Sequence, residues 1–278
     1  MTNSLEWIDL KQPIYALPEI HGRVNLKLKD PNTSNQAIAD LIEQDPGLSL
    51  VVLKLVNSAV YGFRSHISSI NQAVNLLGRN ELAVLLLSTG AIKLFQKIPI
   101  DKAKLHRHAQ HSFLCALIAK NLSLSSTLAA EGGSLFVAGL LHDMGKPIIW
   151  HQFAEKVASM DDSAEEGAMF EQENNLLGFN HAQVGYELMK AWGLPDALLA
   201  TTLWHHDPEN AVHHRDWCEL IALANRLAKL NSVQFVDECL ADCHYALQQG
   251  FNEMLVKQVI ENARLTLSET ANCYSTAF

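Results

Sequence analysis

The stretch Leu140-Leu141-His142-Asp143-Met144-Gly145-Lys146 decides how this chain is read. An apolar run delivers an imidazole and a carboxylate side by side, and Gly-Lys follows at once. The run predicts a helix over 134–141, with the chain turning at Gly145. Neighbouring side chains on a helix point about 100° apart. His142 and Asp143 therefore converge on one centre only near a helix end. Imidazole plus carboxylate suits borderline divalent metals, here iron, manganese, nickel or zinc. The same stretch is not a P-loop. One residue too many separates Gly139 from Gly145-Lys146, and Pro147 stands where Ser or Thr would hold magnesium. No HExxH, GxSxG or GxGxxG pattern occurs.

Outward from this stretch the pattern is helix after helix. Asn180 and Gln183 have capping-box spacing ahead of Val184, Leu188 and Ala191, and Gly193 and Pro195 end that helix. Thr33 and Gln36 have the same spacing ahead of Ile38, Leu41 and Ile42, a stripe that stops at Asp45-Pro46-Gly47. Leu50, Leu53 and Val56 mark the next helix. Ile70, Ala73, Val74 and Leu77 mark another, with Gly78 as its C-cap. Leu82–Phe95 is apolar almost all round, which suits a buried helix. The pattern breaks near Lys97-Ile98-Pro99-Ile100. Beyond it, helices are expected around 102–122, 134–141, 150–160, 165–176, 181–192, 196–206 and 216–230. No alternating apolar pattern argues for a strand. The fold class expected is all-α in two helical lobes: 1–98, then 99–232 with the histidine-rich pocket, then a C-terminal helical extension over 233–278.

Composition excludes several classes. The chain has 278 residues, 48% of them hydrophobic and 18% charged, enough apolar material for a sizeable core and against disorder. Lys and Arg number 21 against 30 Asp and Glu, a net charge of −9. Counterion release needs clustered positive charge, so neither nucleic acid nor an anionic membrane is an expected partner. The five cysteines, Cys115, Cys218, Cys239, Cys243 and Cys273, show no CxxC spacing and form no disulfide framework. The N-terminal residues lack the pattern of a signal peptide, and the apolar runs Leu48–Val56 and Leu82–Leu87 are too short to span a bilayer. A cytoplasmic location is expected.

Ten of the 13 histidines lie between His106 and His214. His205-His206 follows the stripe Leu198, Leu199, Leu203 and runs into the helix-ending Asp207-Pro208. His181 sits in the first turn of its capped helix, and His111 lies in the apolar segment 105–119. The candidate metal-ligand set is His111, His142, Asp143, His181, His205 and His206. His106, His108, His151, His213, His214 and His244 are read as ordinary core or surface residues. Cys115 lies one helical turn from His111, but a buried structural cysteine is the better account.

These residues resemble the HDOD family, the HD-related output domains of bacterial signalling proteins, over about 15–230 of the chain. In the first lobe the resemblance rests on Leu17-Pro18, Asp45-Pro46, Leu53, Asn57-Ser58, Tyr61, Ile70, Ala73, Leu77 and Gly78. In the second it rests on His111-Ser112, Ala116, His142 to Lys146, His181, Gly185, Trp192-Gly193-Leu194-Pro195 and His205-His206. It implies an all-helical fold whose second lobe is an HD-domain-like bundle, related to metal-dependent phosphohydrolases.

Two departures qualify what the resemblance implies. Asn225, in Ile221-Ala222-Leu223-Ala224-Asn225-Arg226-Leu227, stands where HD proteins place a final Asp ligand. Asn225 offers a carbonyl oxygen but no charge. By analogy with two-metal sites, the centre of His111, His142 and Asp143 is weakened. The centre of Asp143, His181, His205 and His206 is complete. One firm ion and at most one looser ion are expected. A GYP signature is missing after His205-His206. The functional expectation is a stand-alone regulatory protein that keeps a metal pocket and meets a signalling partner or a phosphorylated small molecule. The alternative is an active metal-dependent phosphohydrolase with a nucleotide-like substrate, in which Asp143 orients water or bridges ions and Lys146 neutralises phosphate charge. A homodimer contact through the C-terminal segment is a further expectation.

Overall fold

The computed structural model describes residues 8–57, 61–63, 65–95, 97–158, 160, 166–230 and 236–275. Ser58 and the side chain of Cys273 lie outside the described residues. Among the described residues there is no strand, so the all-α expectation holds. The helices are α1 (Glu19–Lys29), α2 (Asn35–Glu43), α3 (Pro46–Val56), α4 (Ile70–Phe95), α5 (Lys102–Ser123), α6 (Gly132–Leu141), α7 (Gly145–Gln152) and α8 (Ala154–Val157). They continue with α9 (Glu166–Leu177), α10 (His181–Ala191), α11 (Asp196–Trp204), α12 (Arg215–Lys229), α13 (Val236–Ala241), α14 (His244–Gln249) and α15 (Glu253–Ser275). Among the described residues no helix is long and apolar enough to cross a membrane.

The chain divides into two compact units, one of residues 16–97 and 268–278, the other of residues 1–15 and 98–267. Residues 8–15, expected in the first lobe, group with the other unit. Polar contacts explain the reassignment. Tyr15 is almost fully buried, its hydroxyl lies 2.6 Å from His151 Nδ1, and its carbonyl accepts from Trp192 Nε1 at 3.0 Å.

In the unit of α1 to α4, α4 packs against each of α1, α2 and α3. The core is made by Val24, Ile38, Ile42, Leu48, Val52, Ile70, Val74, Leu82 and Leu85. Asp45 caps α3 by accepting from Leu48 N at 2.9 Å, and Pro46 occupies the first helical position. Ser34, not Thr33, caps α2 by accepting from Ala37 N. The Thr33 hydroxyl instead donates to Asp30 Oδ2 at 2.8 Å. Gly78 ends one helical segment, as expected, and a second follows it within the span of α4. With φ +75 it forms a break inside α4, a conformation that favours glycine. Asn57 pins the following loop, exchanging hydrogen bonds with the backbone N and O of Ile67.

In the other unit α6 lies against α5, α11 and α12, while α10 packs on α7 and α11. Alanine and glycine let the helices approach. A Cβ on Gly139 would stand 2.6 Å from Ala116 Cα. The turn expected at Gly145 lies earlier, over 142–144, and Gly145 is the first residue of α7. Its glycine is required by a close approach. A Cβ there would overlap the His181 carbonyl oxygen and stand 2.8 Å from Gly185 N. The helix expected over 150–160 is likewise displaced, because α7 starts at Gly145 and breaks at Phe153.

Candidate metal centre

Two helices end at this site in the same way. His142 follows the last residue of α6 and His205 the last residue of α11. Each ring turns back on its own helix: His142 Nδ1 donates to Gly139 O at 2.7 Å, and His205 Nδ1 to Thr202 O at 2.8 Å. A helix end has unpaired carbonyls to offer. Spending the Nδ1 proton there leaves Nε2 bare and aimed inward, the tautomer a metal ligand needs. His181 reaches the same state by another route. The capping box of Asn180 and Gln183 starts α10, as expected from the sequence, and places His181 in its first turn. His181 Nδ1 then lies 2.6 Å from Glu173 Oε2, which also accepts from His181 N at 2.7 Å.

The rings converge on Asp143, which is fully buried. Asp143 Oδ1 is 3.2 Å from His181 Nε2 and 3.4 Å from His205 Nε2. Asp143 Oδ2 is 3.3 Å from His142 Nε2 and 3.9 Å from His111 Nε2. His206 Nε2 lies 2.9 Å from His181 Nε2. Two sets of donor atoms are close enough to share an ion: Asp143, His181, His205 and His206, and His111, His142 and Asp143, the atoms of each lying within 4.8 Å of one another. Each carboxylate oxygen thus faces a different set.

Asn225, on α12, turns its Oδ1 to His111 Nε2 at 2.8 Å. Lys146 is buried, not a surface lysine, and its Nζ lies 2.5 Å from Asp143 Oδ2. All the residues expected at the site from the sequence are therefore gathered in one place. Glu173 is a residue that sequence reasoning missed. It stands eight positions before His181 in an ordinary polar helix, and no local pattern marks it. Phe170, on the same helix, packs against the His206 ring at 4.7 Å between centroids.

The electrostatics split the rings: burial favours neutral His111, His205 and His206, whereas on His142 burial is outweighed by the Asp143 carboxylate, which moves that ring well above its ordinary value. Burial, helped by the neighbouring His142, pushes His111 down to about 3, and burial pushes His205 down to about 4. Burial and the adjacent rings hold His206 well below its ordinary value. For Asp143, burial favours the neutral acid, but His142 and Lys146 outweigh it and hold the carboxyl well below the usual range. Burial also works against charge on His181 and is outweighed by Glu173, which moves that ring up.

Three buried donor atoms, His142 Nε2, Asp143 Oδ1 and His205 Nε2, make no hydrogen bond within the protein. Buried polar atoms left unpaired cost about 1–3 kcal/mol each. Two of them, Asp143 Oδ1 and His205 Nε2, lie 3.4 Å apart and with His181 and His206 form a donor set that fits a divalent cation, while His142 Nε2 belongs to the other set. Beside the cluster opens a cavity of about 750 Å³, reached past His205, His206 and Asn225. Arg226 and Lys229 stand on its α12 wall, and Cys239, Cys243 and His244 on the wall built by the segment after α12.

Comparison with known proteins identifies the family and the fold. The profile of the HDOD domain matches residues 14–208. An uncharacterised protein of Treponema pallidum is 26% identical over 227 residues, covering 81% of this chain. The chain spans only 43% of that relative's length. Among solved structures, an HDOD domain protein of unknown function from Geobacter sulfurreducens superposes with a TM-score of 0.71 at 25% identity, covering 92% of this chain and 91% of that one. A protein of Shewanella amazonensis named as a candidate metal-dependent phosphohydrolase superposes with a TM-score of 0.62 at 18% identity, covering 88% and 91%.

Proposed function

The chain belongs to the HDOD family, and from that premise we propose that it is a regulatory protein whose His–Asp centre holds one divalent metal and binds a phosphorylated small molecule. The observation that carries the proposal is the pair of buried, unpaired donor atoms Asp143 Oδ1 and His205 Nε2 within one donor set. Asp143 Oδ1, His181, His205 and His206 would hold the ion, with Glu173 fixing the His181 ring and Thr202 O the His205 ring. An ion bound there polarises a phosphoryl oxygen and lowers the pKa of a bound water. The cavity supplies the rest of the site. Its volume suits a ligand of nucleotide size. Arg226, paired with Asp242 at 3.4 Å, and Lys229 stand on its wall where an anionic ligand would meet them.

Elemental analysis of tag-free protein, purified anaerobically without chelator, tests the metal. About one ion per chain is expected. Near-zero metal after reconstitution with iron, manganese, nickel and zinc would make the histidines relics and overturn the proposal.

A second reading, a metal-dependent phosphohydrolase, is favoured by one observation: the cavity opens beside the donor cluster and leaves a phosphoester room to approach it. In that reading Asp143 orients the attacking water and Lys146 adds positive charge beside it. Turnover of any member of a nucleotide and phosphoester panel by the metal-loaded protein, lost in Asp143→Asn, decides for it. Binding of such a ligand without turnover decides for the regulator.

A further inference from the structure

The two donor sets that share Asp143 are not equivalent. In the set of Asp143, His181, His205 and His206, Asp143 Oδ1 and His205 Nε2 have no hydrogen-bond partner in the protein. In that set His181 Nε2 and His206 Nε2 lie 2.9 Å from each other, and in the set of His111, His142 and Asp143 it is His142 Nε2 that has no partner, so what sets the second apart is a cation already on its carboxylate oxygen. Asp143 Oδ2 accepts from Lys146 Nζ at 2.5 Å. His111 Nε2 faces Asn225 Oδ1 at 2.8 Å, so the ring nitrogen nearest Asp143 carries the proton of that hydrogen bond.

We infer that the ammonium of Lys146 takes the place of a second metal ion on Asp143 Oδ2, so that the centre is built for one ion and an internal lysine cation. The inference rests on the metal-binding reading of the site and adds to it what closes the other half.

Charge supports the same conclusion. The buried ionic groups of the cluster are Asp143, Glu173 and Lys146. One divalent ion leaves a single positive charge in excess. A second would leave three within a few ångströms of one another in an interior that screens poorly. Asn225, which brings no charge, does nothing to offset them. An Asp at 225 would remove one excess charge, but Lys146 would still hold Oδ2. Both residues must change before the second set can compete for an ion. Lys146 also has a function when metal is scarce. It keeps Asp143 from being a buried carboxylate without a cation.

The experiment is manganese titration of the full-length protein after chelation, read by elemental analysis and by the electron paramagnetic resonance spectrum. An isolated ion and an exchange-coupled pair give different spectra, so the readout does not depend on activity. The wild type is expected to take one ion per chain with an uncoupled spectrum. Asn225→Asp alone and Lys146→Arg are expected to do the same. The double variant Lys146→Gln with Asn225→Asp is expected to take a second, coupled ion, bound about tenfold or more tighter than any second equivalent in the wild type. A coupled pair in the wild type or in Asn225→Asp overturns the inference and leaves the metal-binding reading standing. A double variant that stays at one ion also overturns it. No metal in the wild type overturns both. Helical circular dichroism checks each variant, and should the double variant fail to fold, Asn225→Asp alone still decides.

Discussion

Glu173 Oε2 accepts twice from His181, once from its backbone N at 2.7 Å and once from its ring Nδ1 at 2.6 Å. One oxygen thus fixes both where α10 begins and which nitrogen of its first histidine faces Asp143. Glu173→Ala removes both bonds and leaves two buried donors unpaired. The expected result is a loss of metal affinity of about 10–100-fold, measured by competition with a chromophoric chelator. Glu173→Gln keeps the acceptor and loses less. Unchanged affinity in the alanine variant would show that His181 is not a ligand.

Gly145 and Gly22 should respond to alanine in opposite directions. Gly145 crosses α10 so closely that a Cβ meets His181 O and Gly185 N. Gly145→Ala is expected to cost about 1–3 kcal/mol or more and to weaken metal binding by displacing His181. Gly22 sits exposed within α1 with nothing near a Cβ. Gly22→Ala is expected to stabilise by about 0.5–1 kcal/mol. Thermal melts of the two variants check both signs.

His108 predicts part of the acid limb of stability. It is buried against Trp150, and burial pushes it down to about 3 from an ordinary 6.5. Between those values the unfolded chain takes up a proton that the folded chain refuses. The contribution is therefore fully present above about pH 6.5 and is lost as the pH falls toward 3, with a limiting slope of about 1.4 kcal/mol per pH unit. His108→Gln cannot take the proton, so its acid limb should be flatter. Urea unfolding of both chelated proteins across this window tests the sign. Parallel curves would be evidence against it.

Cys218 should be inert in the folded protein. Burial raises its thiol to about 12. The thiolate is the reactive form, so at pH 8 hardly any is present. Thiol-reactive label at Cys218, located by peptide mass, is expected only after urea is added. Prompt native labelling would contradict this burial.

The sequence exposed the architecture well because its signals were local. The Asn180–Gln183 capping box, the Asp45-Pro46 start of α3 and the apolar stripes are decided within a turn or two of helix. The donor histidines were legible for a related reason, since rare residue types gathered in order. What stayed hidden depends on other parts of the chain. Glu173 looks like any solvated helix acid until α9 meets α10. The sequence marks Lys146 as a partner for phosphate, but that it is buried against Asp143 shows only in three dimensions. Gly145 suggested a turn, yet its smallness serves a crossing with a helix that begins 36 positions later. At the start of α2, Thr33 and Ser34 both offer a hydroxyl, and only the bond of Thr33 to Asp30 settles which one caps.

The histidines and the aspartate that meet at Asp143 all lie between residues 111 and 206, while much of the cavity wall comes from α12 onward, beyond residue 208 where the HDOD match ends. Under the proposed function, grip on the ion and choice of ligand are thus written in separate stretches of chain. Cys239, Asp242, Cys243 and His244 touch the cavity without belonging to either donor set. Replacing α13 and α14 by the equivalent segment of a relative should retarget the protein to a different ligand and leave the ion in place. Under the proposed function, a chain of this build changes its ligand by editing a tail and leaves the residues for the ion untouched.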